Sequence, residues 1–131
     1  MNKAGWHPSE YAPEDPTITW AWTQKLAILN FQNPRKDVTL FLQYDARPDV
    51  FDHPQQVTIS SAGQPVETFA ADSSDKVMRR IPITAAQLGT NEMAEVRIEV
   101  DRTFTPAKLP TGGTDARELG IRVYHHFIEP K

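Results

Sequence analysis

The sequence predicts an all-β protein, an eight-stranded antiparallel β-sandwich. Three observations support this prediction. Apolar residues recur at every second position within short runs, which is the period of a half-buried strand. Turn-forming residues separate the runs, among them 11 prolines and 6 glycines in a chain of 131 residues. Only the segment 84–89, TAAQLG, has a helical pattern, and it spans little more than one turn.

Five strands are predicted in the first 70 residues, at 17–23, 26–31, 38–44, 56–60 and 66–70. Trp20 and Trp22 share one face of the first strand because side chains alternate along a strand. The turn QNPRKD at 32–37 contains the turn initiator Asn-Pro. The turn SAGQP at 61–65 joins two neighbouring strands into a hairpin.

Three more strands are predicted at 77–83, 94–101 and 119–128. Pro82 cannot donate a ladder hydrogen bond, so the strand 77–83 is expected at a sheet edge. The apolar residues of the other two strands are expected to face the core: Val96, Ile98, Val100, Leu119, Ile121, Val123 and Phe127.

Two adjacent histidines in the last strand, His125 and His126, raise the question of a metal site. The alternation places His125 inward with Val123 and His126 outward. Neighbouring residues on a strand face opposite ways, so they cannot bind one ion together. We therefore expect His125 to be a hydrogen-bonded inner histidine.

Eight strands favour a jelly-roll or galactose-binding-like sandwich over the seven strands of a constant-type immunoglobulin domain. The chain length fits one domain, 1–131. A chain of this length buries enough of its surface on folding to form one hydrophobic core. Two segments lack the strand pattern. The arm 1–16 is expected to be irregular and packed on the sandwich, and 102–117 is expected to be a long irregular connection.

Composition excludes several classes of function. The net charge is −3, and the basic residues form no stripe, so no nucleic-acid partner is expected. No apolar run reaches the length of about 20 residues that a membrane helix needs, and the N-terminus lacks a signal-peptide pattern. The absence of cysteine excludes disulfides and cysteine-based zinc sites. We expect a soluble domain.

Arg117 and Glu118 precede the last strand and form the first candidate site. Arginine and a carboxylate pair with well-defined bidentate geometry. Arg117 could therefore pin the long loop or the arm through Glu10 or Asp115. The alternative is that Arg117 contacts the hydroxyl or acidic group of a ligand.

All three tryptophans lie in the first 22 residues. Flat aromatic faces serve as platforms for sugar rings and for partner surfaces. Trp6 is either such a platform or a cap on one end of the sandwich. At least one of Trp20 and Trp22 is expected in the core.

Aspartates cluster in the segment 44–54, YDARPDVFDHP. Calcium prefers six to eight oxygen ligands, which Asp45, Asp49 and Asp52 could help to supply. Solvated turn aspartates are the alternative, and no other cofactor is expected. Motifs for nucleophilic, metal-dependent and phosphate-binding catalysis are absent, so the sequence predicts a non-catalytic domain.

Four short motifs carry a resemblance to a known family: GWHPSE at 5–10, WAWT at 20–23, VDRTFTP at 100–106 and DARELGIRVY at 115–124. The chain resembles the small β-sandwich accessory domain appended to bacterial glycosyltransferases and related membrane sugar-transfer enzymes. The resemblance implies an attached, non-catalytic module on the extracytoplasmic side of a membrane enzyme. Such a module would bind a glycan or position the parent glycosyltransferase.

The resemblance also implies that five residues form one linked set, which is the candidate ligand-binding site: Trp6, Glu10, Trp22, Arg117 and Glu118. An arginine–carboxylate cluster covered by tryptophan would explain the set without a ligand. The insertion YAPEDP at 11–16 departs from the family pattern and affects the placement of Trp6. The alternative function is a structural interaction or homodimerisation module without a glycan ligand.

Overall fold

The computed structural model describes residues 1–131, and nine antiparallel strands make up most of the chain. The strands are β1 (Asn2–Trp6), β2 (Glu10–Ala12), β3 (Asp15–Gln32), β4 (Val38–Asp45), β5 (Gln55–Ser61), β6 (Gln64–Ala71), β7 (Val77–Ile83), β8 (Met93–Val100) and β9 (Arg122–Pro130). The helix α1 (Ala85–Leu88) and two 3₁₀ turns, Pro48–Val50 and Pro106–Lys108, complete the elements. The predicted all-β sandwich is confirmed, with nine strands in place of eight. None of the helical segments is long and apolar enough to cross a membrane.

Strand β3 is one strand of 18 residues, whereas two strands were predicted at 17–23 and 26–31. The intervening segment 24–25 contains neither proline nor glycine, so nothing in the local chain ends the strand. The first part of β3 pairs with β9 near Trp22. The part from Leu26 onward pairs with β8. Strand β3 therefore passes from one sheet of the sandwich into the other.

The two sheets share β3 and have the orders β6-β5-β8-β3 and β3-β9-β4-β7. Strands β6 and β7 lie at the two outer edges. The prediction that the strand 77–83 is an edge strand is confirmed. Pro82 lies opposite Thr39 of β4, and its missing N–H costs no ladder hydrogen bond at this edge.

The core lies between the two sheets and follows the period-two pattern. Val96, Ile98 and Val100 of β8 are fully buried, as predicted. Leu40 and Leu42 of β4 face them from the other sheet and are also fully buried. Each such side chain contributes about 1.5–3 kcal/mol by leaving water.

The helical pattern at 84–89 is confirmed as the single turn α1. The Thr84 hydroxyl accepts from the Gln87 backbone N–H at 3.1 Å, and the Gln87 side chain accepts from the Thr84 N–H at 2.8 Å. This reciprocal capping satisfies two backbone donors that a short helix otherwise leaves free. Gly89 ends the helix with a φ of 80°.

The arm 1–16 packs on the sandwich but is not irregular. Strand β1 pairs with the second part of β3, and β2 pairs with its first part. A chain that lies along the edge of a strand satisfies its own backbone groups by joining the ladder. The weak local pattern of the arm does not reveal this pairing, because β3 supplies the partner.

The connection 102–117 is long and irregular, as predicted, and β9 begins at Arg122 rather than at 119. The connection is closed by an isolated bridge, in which Phe104 and Leu119 exchange backbone hydrogen bonds of 3.0 and 2.8 Å. The buried Gln55 amide also donates to the Arg102 carbonyl at 2.7 Å. These contacts hold both ends of the connection against the sandwich.

Candidate functional site

Strands β3 and β9 diverge at the end of the sandwich that the N-terminal arm covers. They form ladder pairs only between Ala21 and Val123 and between Trp22 and Arg122. Before Ala21, β3 pairs with β2 instead. After Val123, β9 pairs only with β4. The divergence leaves a recess between the two strands, and the arm residues border it.

A β-bulge in β9 decides which side chains enter this recess. Gln43 of β4 lies opposite His125, whereas the next residue, Tyr44, lies opposite Val123, so that Tyr124 is an extra residue. An extra residue reverses the alternation of all residues that follow it. Two predictions are therefore wrong. His125, which was expected to face inward, is exposed, and His126, which was expected to face outward, is half-buried.

The same reversal corrects the prediction for Phe127. The predicted core position is wrong, because Phe127 is 37% exposed on the outer face of its sheet. Its ring stacks on Phe41 of β4 with centroids 4.4 Å apart. Ile128 takes the inward position instead and packs against the core.

The recess between the strands is a pocket of about 270 Å³, lined by Asn2, Trp6, His7, Ser9, Thr19, Trp20, Ala21, Val123, Tyr124, His125 and His126. We call it the Trp6 pocket. The Trp6 indole N–H donates to the Ile28 carbonyl at 3.2 Å, which fixes one wall. The His126 ring lies against it with centroids 5.6 Å apart. An aromatic surface and polar groups thus meet in one concave site.

Two nitrogen atoms of residues that line the Trp6 pocket are buried and have no hydrogen-bond partner: Trp20 Nε1 and His126 Nδ1. His126 Nε2 lies 2.8 Å from Asn2 Oδ1, to which it donates, so Nδ1 of the neutral ring is an acceptor. Burial lowers the pKa of His126 and thereby favours the neutral ring. The indole N–H of Trp20 is only a donor. Two residues that line the pocket therefore carry one unpaired donor and one unpaired acceptor.

A second cluster lies on the outer face of the same strands, around the buried carboxylate of Asp45. Arg122 donates to it twice, from Nε at 2.9 Å and from a terminal nitrogen at 2.7 Å. The Tyr124 hydroxyl donates to it at 2.7 Å. Burial and this hydrogen bond raise the pKa of Tyr124 to about 12. The Arg122 guanidinium also lies over the rings of Trp20 and Trp22, at 5.0 and 5.6 Å from their centroids.

The sequence-predicted pair of Arg117 with the arm and the loop is present. Arg117 donates to Asp115 through Nε at 3.0 Å and a terminal nitrogen at 2.8 Å, and it reaches Glu10 at 3.3 Å. The hydrogen bond from Arg117 lowers the pKa of Asp115 to about 2. This geometry matches the alternative in which Arg117 pins the loop and the arm together. A ligand contact by Arg117 stays a prediction.

Of the five residues of the predicted linked set, the structure brings Glu10 and Arg117 together at 3.3 Å, whereas Trp6, Trp22 and Glu118 contact other partners. Trp6 lies opposite the buried Thr23 and faces the core side of β3, whereas Glu10 lies opposite Trp20 and faces the outer side. The Trp22 ring lies edge-on to Phe104 at 5.7 Å. Glu118 is exposed, and its backbone carbonyl lies 2.7 Å from His7 Nε2.

Trp20 and Trp22 are both partly exposed, so the expectation that at least one lies in the core is wrong. Their face of β3 is the outer one, where Arg122 covers them. Period-two alternation predicts that two tryptophans share a face, but it does not show which face meets the core.

The three aspartates proposed for calcium are not brought together. Each pairs with a different arginine: Asp45 with Arg122, Asp49 with Arg47 and Asp52 with Arg102. The structure contains no group of three or more acidic, histidine or cysteine side chains placed to hold a metal ion. The geometry therefore does not support the prediction of a calcium site at these three aspartates.

The fold resembles solved structures of carbohydrate-active proteins. A structure described under "CBM4 structure and function" has a TM-score of 0.52 and 13% sequence identity, over 97% of this chain and 79% of that chain. This chain has the β-sandwich fold of that module. A GH115 4-O-methyl-α-glucuronidase, BtGH115A, described as specific for decorated arabinogalactans, has a TM-score of 0.55 and 13% identity.

The match to the glucuronidase covers 86% of this chain and only 14% of that chain. No family model and no curated protein sequence matches the chain. At 13% identity, the likeness of both structures concerns the fold.

The residues that define the Trp6 pocket were mostly missed by sequence reasoning. The sequence indicates Trp6 as a candidate, but it leaves open which of Trp20 and Trp22 lies in the core, and it places His126 on the outward face. The signal for Trp20 was its place beside Trp22 on a strand that directly follows the arm with Trp6 and Tyr11. No sequence signal placed His126, because the bulge at Tyr124 depends on the partner strand β4.

Proposed function

We propose that this domain is a non-catalytic carbohydrate-binding module and that the Trp6 pocket is its binding site. The observation that carries the proposal is a pair of buried, unpartnered nitrogens, Trp20 Nε1 and His126 Nδ1, that belong to two residues lining a pocket with an aromatic wall. A buried polar atom without a partner costs about 1–3 kcal/mol. A ligand that supplies both partners recovers this cost.

A sugar has the chemistry that such a pocket needs. Each hydroxyl both donates and accepts, so the hydroxyls of one sugar supply both an acceptor for the indole N–H and a donor for the imidazole nitrogen. The apolar face of a sugar ring packs on an aromatic surface such as Trp6 or the His126 ring. Ligand sites of this kind combine an apolar wall with a few convergent polar groups.

The fold supports the same proposal. A chain studied as a CBM4 module shares the architecture over nearly the full length. The domain also superposes on a small part of a much larger glucuronidase chain, as an accessory domain would. The narrower hypothesis, attachment to a bacterial sugar-transfer enzyme on the extracytoplasmic side of a membrane, is supported by the sequence motifs.

Titration calorimetry with a panel of neutral gluco-, galacto-, manno- and xylo-oligosaccharides tests the proposal. We expect at least one of them to bind. Trp20→Phe keeps an aromatic ring but removes the indole N–H, and we expect it to weaken binding about three- to tenfold, the value of one hydrogen bond. Trp22→Phe is the matched control, because Trp22 lies on the same strand face but does not line the pocket.

The absence of binding by the whole panel would overturn the proposal. Equal losses in Trp20→Phe and Trp22→Phe would assign binding to another surface. Thermal unfolding of both variants checks that each is folded at the temperature of the titration.

A second candidate function is docking on another protein surface without a glycan. The observation that favours it is the stack of the exposed Phe127 on the half-buried Phe41, on the outer face of β4 and β9. Exposed aromatic clusters often mark interaction surfaces. Sedimentation of the wild type and of Phe127→Ser tests this function: a dimer that Phe127→Ser dissociates would support it, and a monomer that binds glycans would favour the first function.

A further inference from the structure

Two more pockets adjoin the Trp6 pocket along the diverging strands. One has about 350 Å³ and lies between the residues 17–19 of β3 and Tyr124. The other has about 270 Å³ and lies between the arm residues 12–14 and Tyr124. Tyr124 lines all three pockets. Thr19 and His125 are shared by the first two, and Lys76 is shared by the last two.

The shared residues imply that the three pockets are neighbours around one side chain. We call this continuous surface the Tyr124 groove. Its centre is well fixed, because the Tyr124 hydroxyl donates to Asp45 at 2.7 Å. The Lys76 ammonium also lies 4.3 Å from the centroid of the Tyr124 ring. A side chain held at both its hydroxyl and its ring presents the same surface to each ligand, which lowers the entropic cost of binding.

The size of the pockets points to an extended ligand. Ligand pockets usually have about 300–1,000 Å³. Each of the three pockets, with 270 to 350 Å³, is at the lower limit by itself. The combined volume of the three pockets falls well within the usual range. An oligosaccharide that occupies all three makes contacts that a single sugar cannot make.

The charges along the groove favour a neutral ligand. Three formally charged side chains line it: Glu14, Lys76 and Arg122. Arg122 is neutralised within the protein by its bidentate pair with Asp45. Lys76 and Glu14 have opposite signs, so the groove offers no excess charge of either sign. The remaining polar groups include hydroxyls and amides such as Thr17 and Gln43, which suit the hydroxyls of a sugar.

We infer that the Tyr124 groove binds a neutral oligosaccharide of several residues, with one end in the Trp6 pocket and the rest along Tyr124 toward Lys76. This inference rests on the proposed function and adds the length and charge class of the ligand. The end of the groove near Lys76 is then contacted only by an oligosaccharide that is long enough to extend beyond the Trp6 pocket.

A chain-length series tests the inference by calorimetry. The probes are a monosaccharide, its trisaccharide and its hexasaccharide from the neutral series that binds, together with a uronate-containing chain of equal length. We expect the hexasaccharide to bind at least about tenfold more tightly than the monosaccharide, or 1.4 kcal/mol. We expect the uronate chain to bind no more tightly than the neutral one.

Lys76→Met keeps the aliphatic stem and removes the ammonium. We expect it to weaken hexasaccharide binding about three- to tenfold, as for the loss of one hydrogen bond, and to leave monosaccharide binding within twofold. Lys36→Met is the matched control, because Lys36 lies in an exposed turn away from the groove.

The outcomes separate the inference from the proposed function. Equal affinity for all chain lengths, with Lys76→Met silent, would overturn the inference and leave the Trp6 pocket as a site for one sugar. Tighter binding of the uronate chain would overturn the neutral class. No binding by any probe would overturn the proposed function as well.

Discussion

The pair of Asp45 and Arg122 gives a prediction on the stability of the groove. The Asp45 side chain is 6% exposed and Arg122 is 30% exposed, and the two form a bidentate ion pair. Asp45→Asn keeps the shape of the side chain but removes its charge. It leaves the Arg122 guanidinium without a counter-charge and turns an amide group toward it.

The size of the effect follows from burial. Removing one partner of a buried ion pair costs about 3–5 kcal/mol. Because Arg122 keeps some contact with water, we take the lower end, about 3 kcal/mol. In a domain of this size, 1 kcal/mol shifts the melting temperature by roughly 4 °C, so we expect a decrease of about 12 °C.

The chain contains a matched control for this variant. Arg47 and Asp49 form the same bidentate geometry, at 3.0 and 2.8 Å, but their side chains are 46% and 59% exposed. Exposed pairs contribute about 0–1 kcal/mol, so Asp49→Asn should change the unfolding free energy by less than about 1 kcal/mol. Urea denaturation measures both free energies, and an unchanged slope confirms that the unfolded states are comparable.

The reasoning fails if Asp45→Asn and Asp49→Asn have equal effects. It also fails if Arg122→Met, added to Asp45→Asn, destabilises further. Replacing both members of a buried pair by uncharged groups is expected to restore part of the stability.

Three more predictions concern the arm, the loop and the aspartates. Gly5→Ala places a Cβ 1.8 Å from the Leu26 carbonyl oxygen at a φ of 79° and should cost about 3 kcal/mol in urea denaturation; Gly63→Ala has a similar φ of 78° but no atom within 4 Å and should cost about 1 kcal/mol. Equal costs would contradict the packing of β1 on β3. The pKa of Asp115 is lowered to about 2, so its stabilising effect is present above pH 3.8 and is lost as the pH falls toward 2. Thermal unfolding against pH should therefore show a steeper decrease in that window for the wild type than for Asp115→Asn, and parallel curves would refute the pin. Millimolar calcium should leave the melting temperature unchanged, because Asp45, Asp49 and Asp52 are paired with separate arginines; a clear increase would contradict this geometry.

Period-two alternation was sufficient to predict which side chains face the core where a strand is regular and pairs with its neighbours without a bulge. It predicted the inward face of β8, with Val96, Ile98 and Val100, while the missing N–H of Pro82 predicted the edge position of its strand. The pairing of Arg117 with Asp115 and Glu10 was one of two alternatives, and it followed from the bidentate fit of arginine to a carboxylate rather than from alternation.

Alternation failed where a partner strand changes the register. The bulge at Tyr124 is visible only in the pairing of β9 with β4, and it exchanges the positions of His125 and His126. The strands of the arm were missed for a similar reason, because β1 depends on a ladder with residues that follow it by more than 15 positions, such as the pair Trp6 and Thr23. The Trp6 pocket results from both features, so local sequence patterns did not predict it.

The most direct test of carbohydrate recognition is the indole N–H resonance of Trp20 in a ¹⁵N-labelled sample during titration with the neutral hexasaccharide. The chain has only three tryptophans, and the Trp6 indole is already bonded to the Ile28 carbonyl. We expect the Trp20 signal to shift with saturation as its N–H gains an acceptor, while the Trp22 signal moves little. A Trp20 signal that stays in place at saturating concentrations of every saccharide tested would contradict the assignment of this pocket.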